Sequence, residues 1–116
     1  MTYNLNRQLI LEYFFLELEY FKIEKKSAEK WRRLERMHII GQSYLKLHFY
    51  THICMLRLAI KEIKIKEILG QLIRLLLLIP GHITGRLPEG NVGTTRVNAF
   101  ITMHLPEELM FLYKNK

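Results

Sequence analysis

Three of the five histidines in this 116-residue chain lie close together, and a glutamate precedes the first of them. Residues 34–52 read LERMHIIGQSYLKLHFYTH and contain Glu35, His38, His48 and His52. Imidazole nitrogens and carboxylate oxygens are ligands of zinc, iron, nickel and copper, whereas calcium prefers an all-oxygen site. These four side chains could therefore hold a transition metal, provided that the fold brings them to one point.

The spacing of the four residues meets that condition if the chain reverses direction near residues 42–43. His38 lies about five residues before the reversal and His48 about five after it, so at about 1.5 Å of rise per residue they would face each other. Glu35 and His52 would face each other about one helical turn further along, because residues three or four apart share a helix face. The prediction is a metal site between two antiparallel helices, with Glu35, His38, His48 and His52 as ligands.

Four further residues carry donor atoms that bear on this site. Met55 lies three residues beyond His52 and offers a thioether, which would suit copper. Cys54 lies about 200° round the helix from His52, so its thiol is expected to point away. His82 and His104 lie in or near the glycine-rich region that follows, and either could reach the pocket.

A structural role is the main alternative for the histidines. A histidine on an apolar helix face often belongs to a hydrogen-bonded core, and Glu35 can pair with His38 or with Arg32. The chain would then be a helical interaction module that binds a protein partner or a second copy of itself. Stricter catalytic patterns are absent, because HFYTH lacks the glutamate of the zincin helix and Glu35-Arg-Met-His38 is the only Glu-x-x-His motif. No reaction is predicted.

Hydrophobic residues that recur every three or four positions predict the helices that must position this site. The predicted helices cover residues 5–25, 28–41, 44–63 and 65–79, and a short helix follows from Pro106 to Tyr113. Ser27 is a candidate N-cap of the second helix, and Gly41 is expected to end that helix in a left-handed conformation. From residue 80 onward, glycine and proline predict an extended segment. The predicted fold is a single all-α domain, residues 1–116, of antiparallel helical hairpins resembling helical repeats, with a C-terminal extended Gly/Pro-rich arm.

The net charge of +7 favours acidic partners, and residues 22–36 alone hold seven Lys/Arg against three Glu. Nucleic-acid binding through this basic helix is therefore a second alternative. The absence of a stacking pattern of aromatic residues and of an arginine-rich reading helix argues against it.

The cysteine count and the apolar segments indicate a cytoplasmic protein without a membrane role. A single cysteine forms no internal disulfide, and the first twenty residues lack the basic start of a secretory signal. The most apolar stretch, LIRLLLLI (72–79), is interrupted by Arg74 and ended by Pro80. Because it is much shorter than the roughly 20 residues of a membrane span, we expect a buried helix there.

Several segments together resemble a known family. LERMHIIGQ (34–42), HFYTHICML (48–56), GQLIR (70–74) and GRLPEGNVG…VNAF…M…PEEL (85–109) occur in the same order as in a small bacterial family catalogued as domain of unknown function 3703. The resemblance covers about residues 28–110 and implies no known reaction. Family members often occur in heavy-metal resistance neighbourhoods, so the resemblance implies a metal context. One departure is that this chain has Val92 and then Thr94-Thr95-Arg96, where the family continues Gly-Asn-Thr-Gly with Gly-Ala-Asn.

Overall fold

The structure, a computed structural model, describes residues 2–85 and 90–113 of the chain, with backbone alone for residues 2–6 and 113. The described residues form helices and connecting segments without any β-strand, which confirms the all-α prediction. Residues 86–89, which belong to the predicted arm, lie outside the described residues. The elements in chain order are α1 (Thr2–Ile23), α2 (Ser27–Gly41), α3 (Leu45–Lys61), α4 (Ile65–Thr84) and a 3₁₀ helix (Glu107–Tyr113).

Short connections make consecutive helices antiparallel neighbours, because three residues allow only a tight reversal between helices. Contacts between distant positions agree with this arrangement. The Trp31 side chain, near the start of α2, donates a hydrogen bond of 2.9 Å to Glu62, just beyond the end of α3. At the opposite ends of the same two helices, the chain reverses over residues 42–44. The reversal that the histidine spacing requires is therefore present.

The hydrophobic core lies between α1, α2 and α3, and residues of the C-terminal region close it. Met55, a candidate copper ligand from its spacing, is fully buried and belongs to this core. The buried apolar residues of the cluster are Ile10, Phe14, Leu18, Leu34, Met37, Ile39, Ile40, Met55, Leu58, Val92, Leu109 and Leu112.

Gly41 is needed for close packing and not for a left-handed turn. It is the last residue of α2, and Gln42 after it keeps right-handed values of φ −64° and ψ −21°. A Cβ atom on Gly41 would lie 2.8 Å from the Leu47 Cβ and 3.0 Å from the Phe14 ring. The predicted left-handed conformation is therefore wrong at Gly41, whose missing side chain instead lets α1 and α3 approach the end of α2.

Helix α4 differs from its prediction in length and in burial. It continues through Pro80 to Thr84, and Gly85, with a φ of 69°, closes it by donating its N–H to the Gly81 carbonyl. Its buried residues are Glu67, Gln71 and Leu78. By length and composition, α4 is the one helix among the described residues that could cross a membrane, and only 17 % of that window is buried. The predictions of an end at residue 79 and of a buried helix are therefore wrong.

Candidate metal centre

The side chains of His38 on α2 and of His48 and His52 on α3 point their Nε2 atoms at one another. The Nε2–Nε2 distances are 3.0 Å for His38 and His48, 3.1 Å for His48 and His52, and 3.2 Å for His38 and His52. Each residue is 2–4 % exposed. His48 and His52 share a face of α3 because they are four residues apart, and the antiparallel α2 brings His38 opposite them. We call these three residues the histidine triangle.

The dimensions of the histidine triangle suit a transition metal. With metal–nitrogen bonds of about 2.0–2.1 Å, adjacent nitrogens lie about 3.3 Å apart in a tetrahedral site and about 2.9 Å apart in an octahedral one. The three observed separations fall between these two values. A cation placed just above the plane of the three Nε2 atoms would therefore bond to all of them.

Outer hydrogen bonds determine which ring nitrogens of the triangle carry hydrogen. His38 Nδ1 lies 2.7 Å from the backbone carbonyl of Asn91, and His52 Nδ1 lies 2.6 Å from the Gln71 Oε1 atom. Both oxygens only accept hydrogen bonds, so both Nδ1 atoms must be the donors. In the neutral state, the Nε2 atoms of His38 and His52 therefore present lone pairs to the centre of the triangle.

The orientation of the Gln71 amide is itself determined by its neighbours. Its nitrogen donates to the Glu67 carboxylate at 2.7 Å and to the Gly93 carbonyl at 3.0 Å. Because both partners are acceptors, the amide oxygen must face His52. Gln71 is fully buried, and Glu67 is 9 % exposed. Gln71 and Glu67 thus form a second layer behind His52. It has the form seen around metal-bound histidines, in which an outer carbonyl or carboxylate group orients each ring.

His48 is oriented by a fourth histidine. Its Nδ1 atom lies 2.9 Å from the Nε2 atom of His82. When His48 donates through Nδ1, its own Nε2 lone pair joins those of His38 and His52 at the centre. His82 reaches this position because α4 extends beyond Pro80, and its second-layer role could not be read from a helix predicted to end at residue 79.

Burial keeps the histidine triangle uncharged. It lowers the pKa of His38 well below the ordinary value, that of His48 to about 3 and that of His52 to about 4. The neighbouring imidazoles lower the pKa of His38 and His48 further, because two adjacent cations repel. At neutral pH all three rings are therefore in the deprotonated form that binds metals.

Glu35 does not join the three histidines. Its carboxylate accepts hydrogen bonds from Arg96 Nε at 2.8 Å, from Arg96 Nη2 at 3.0 Å and from the Thr94 hydroxyl. The group of metal-ligating side chains within 4.8 Å of one another, among the described residues, consists of His38, His48 and His52. The structure thus brings together three of the four predicted ligands, while Glu35 is engaged by the C-terminal arm.

His104, a further candidate from the sequence, and Cys54, whose thiol is predicted to point away, lie outside the triangle. His104 is exposed and is not a member of the group of metal-ligating side chains. The thiol of Cys54 is half-buried and neighbours the Tyr50 hydroxyl, away from the triangle as its helical position predicts. Burial raises the pKa of this thiol.

The arm reaches the triangle through Asn91 and Gly93, which lie in the segment that glycine and proline predict to be extended. The Asn91 amide donates to the carbonyls of Asn98 at 2.9 Å and Ile101 at 2.8 Å, and its oxygen accepts the Gly93 N–H at 2.9 Å. Gly93 has a φ of 86°, and a Cβ atom there would lie 2.4 Å from the His38 ring. Both residues belong to the GNVG segment of the family resemblance, which was the available signal for them.

One edge of the triangle opens into a cavity of about 410 Å³. Its apolar wall is formed by Leu77, Leu78, Pro80, Ala99 and Phe100. Arg74 also lines it, and the Arg74 guanidinium donates to three backbone carbonyls, those of Gly70, Thr94 and Val97. Burial lowers the pKa of Arg74. A metal held by three nitrogens would have a further coordination position available on this side.

Comparison with known proteins assigns the chain to a family. The model of the family described as Protein of unknown function (DUF3703) matches residues 10–112. The chain belongs to this family. The match includes the histidine triangle, His82 and the arm residues that orient the triangle. Neither the curated proteins nor the solved structures contain a match to this DUF3703 protein.

Proposed function

We propose that this DUF3703 protein binds one divalent transition metal ion through the Nε2 atoms of His38, His48 and His52. The observation that supports the proposal is the combination of three converging Nε2 atoms with outer partners on each Nδ1. Outer partners of this kind orient histidine rings in metal sites and raise the basicity of the coordinating nitrogen.

Hydrogen bonding within the triangle would leave the site incomplete. Two of the three Nε2 atoms, those of His38 and His52, are acceptors because their Nδ1 atoms donate outward. His48 can turn at most one N–H toward these two acceptors. One of the two buried Nε2 lone pairs is therefore left without a full hydrogen bond. A buried acceptor without a donor costs about 1–3 kcal/mol. A metal ion satisfies all three lone pairs at once.

Zinc is the ion that we propose. Three neutral imidazoles suit a borderline metal, and soft copper(I) would call for thiolate or thioether ligands. Met55 lies in the core, and Cys54 lies beside Tyr50. Sets of three protein ligands with an open fourth position are typical of zinc centres that take water or a substrate.

The fourth ligand that we propose is water or a small anion from the cavity. Three neutral imidazoles leave the full charge of the metal uncompensated, and the Arg74 cation in the cavity wall adds to it. Glu67, the nearby buried carboxylate, offsets only part of this charge. An anion bound between the metal and Arg74 would reduce the remaining positive charge.

The interaction-module alternative predicts the same packing of the histidines without a metal. Protein made without a histidine tag, loaded with zinc and dialysed, distinguishes the two. We expect one zinc per chain by elemental analysis, and a loss of that zinc in His48→Asn. His104→Asn is the matched control because His104 is exposed and outside the triangle. A metal-free wild-type protein, or a full equivalent of zinc in His48→Asn, would contradict the proposal.

A further inference from the structure

The outer face of α4 carries a continuous line of exposed aliphatic side chains. They follow one another at intervals of four, three, four, three and four residues, and each is 45–79 % exposed. We call this line the α4 seam. Its members are Ile65, Leu69, Leu72, Leu76, Ile79 and Ile83.

The spacing of the α4 seam is that of a coiled coil. Alternating steps of three and four residues repeat every seven residues and keep one narrow stripe facing a partner helix. Helices that pack only against their own domain usually place such a stripe inward. In α4 the inward side instead carries the buried Glu67 and Gln71, which hold His52. The seam therefore faces outward because the opposite side of the helix serves the histidine triangle.

We infer that the α4 seam is the interface with a second copy of this chain, packed antiparallel seam to seam. The exposed fractions of its six residues correspond to on the order of 100 Å² each, so the seam offers roughly 600–700 Å² per chain. Ile73 and Leu77, which are 55 % and 39 % exposed beside the seam, extend it. The total approaches the area that each partner buries in a stable interface, about 800 Å².

Charge near the start of α4 selects the antiparallel arrangement. Lys61, Lys64 and Lys66 lie within six residues of one another at this end. Lys64 pairs with Glu62 at 3.3 Å, and Lys61 and Lys66 add to the positive charge of this end. A parallel pair would bring the two lysine groups together, whereas an antiparallel pair places each group beside the end of the partner helix. The terminal carbonyls of a helix carry partial negative charge, which favours nearby cations.

A protein partner suits the α4 seam better than a lipid bilayer does. The same helix carries Glu67 and Arg74 on its other side. Charged side chains in the middle of a membrane span are costly unless a bundle encloses them. In a dimer they stay inside their own chain, and only the aliphatic seam is covered.

Molecular mass in solution tests the inference. We expect the wild-type chain to run at twice its 14.0 kDa mass in light scattering at micromolar concentrations, and Leu76→Glu to run at 14.0 kDa. Leu76 is 78 % exposed, so the variant keeps its fold, and a buried charge at the seam raises the dissociation constant by about 100-fold or more. Ile60→Glu on α3 is the matched control because Ile60 is also exposed, at 56 %.

Each alternative result overturns the inference. A monomeric wild-type chain, a dimer that survives Leu76→Glu with circular dichroism unchanged, or stable insertion into phosphatidylcholine vesicles would each contradict it. Disulfide trapping checks the orientation in a Cys54→Ala background. Mixed Ile65→Cys and Ile83→Cys chains are expected to form crosslinked heterodimers, and efficient crosslinking of Ile65→Cys with itself would rule out the antiparallel arrangement.

Discussion

Two buried polar clusters share helix α2, and they are completed in opposite ways. In the first, the Glu17 carboxylate of α1 accepts hydrogen bonds from Arg33 at 3.0 Å and from Arg36 at 2.7 Å. Glu24 and Glu108 take further bonds from the same two arginines, at 3.1 and 2.8 Å. Donors and acceptors of opposite charge thus satisfy one another within the chain.

The second cluster, the histidine triangle, contains groups of one kind only, neutral imidazoles. Three neutral bases converge there, the Nε2 atoms of His38 and His52 present lone pairs to the centre, and each outer nitrogen already has a partner. The comparison shows that burial and close contact alone do not reveal a binding site. A cluster that contains both signs needs nothing further, whereas a cluster dominated by acceptors leaves room for an electrophile, which under our proposal is a metal ion.

The largest expected effect comes from removing a ligand of the triangle. We expect His38→Ala to lower zinc affinity by about 1000-fold, or about 4 kcal/mol, in calorimetric titration. The reason is that two nitrogens remain, and the nearby carboxylates are engaged elsewhere, Glu35 by Arg96 and Glu67 by Gln71 and Thr95. An affinity within tenfold of the wild type would show that the three Nε2 atoms do not share the ion.

Breaking the first cluster should reduce stability and leave metal binding intact. Glu17→Gln removes the negative charge that Arg33 and Arg36 share and replaces one of its two acceptor oxygens by a donor, and we expect it to lower the free energy of unfolding by about 3 kcal/mol in urea. Glu17 is 6 % exposed, so water replaces little of the loss. Zinc affinity should stay within twofold of the wild type. A large loss of zinc affinity would mean that the clusters are not independent.

Acid should destabilise the metal-free protein through the triangle. The folded pKa values of about 3 for His48 and about 4 for His52 lie below the ordinary 6.5. The unfolded chain therefore binds more protons, and stability is full above pH 6.5 and falls as pH decreases toward 4. We expect a loss on the order of 2 kcal/mol between pH 7 and pH 6 in urea unfolding, about 0.7 kcal/mol from each of the three histidines. The double variant His48→Asn/His52→Asn should lose clearly less, and equal losses would contradict the assignment.

The smallest expected effect is on the second layer of the triangle. Gln71→Met keeps the side-chain shape but removes the acceptor that orients His52. Loss of such a partner costs 10- to 100-fold in metal affinity, and we expect about tenfold because two other rings keep their partners. Ile73→Met, on the exposed side of the same helix, should leave the affinity unchanged. A Gln71→Met protein with wild-type affinity would show that this hydrogen bond does not tune the site.

Sequence reasoning succeeded where the geometry is local. The reversal at residues 42–44 follows from the glycine-containing break between two periodic segments, and it brings His38 opposite His48 by counting residues alone. The fates of Glu35 and His82 depend on contacts across the chain. Glu35 pairs with Arg96, 61 residues away, and His82 contacts His48 across 34 residues.

Two particular signals were available but were read too simply. Pro80 predicts the end of α4, yet the helix continues for one more turn, and that turn positions His82. Glu67, Gln71 and Arg74 recur at helical spacing within an otherwise apolar segment. A polar stripe on an apolar helix is compatible with a polar side that faces the interior and an aliphatic side that faces outward. Only the structure shows which side of α4 is inside, because tertiary contacts decide that orientation.

X-ray absorption at the zinc edge tests the central claim most directly, because it reports the atoms bound to the metal. For zinc-loaded protein made without a histidine tag, we predict three imidazole nitrogens at about 2.0 Å together with one further oxygen or nitrogen ligand. The multiple-scattering signal of imidazole should fall in His52→Asn and persist in His104→Asn. Coordination by sulfur, or a zinc shell with fewer than two imidazoles, would contradict the account.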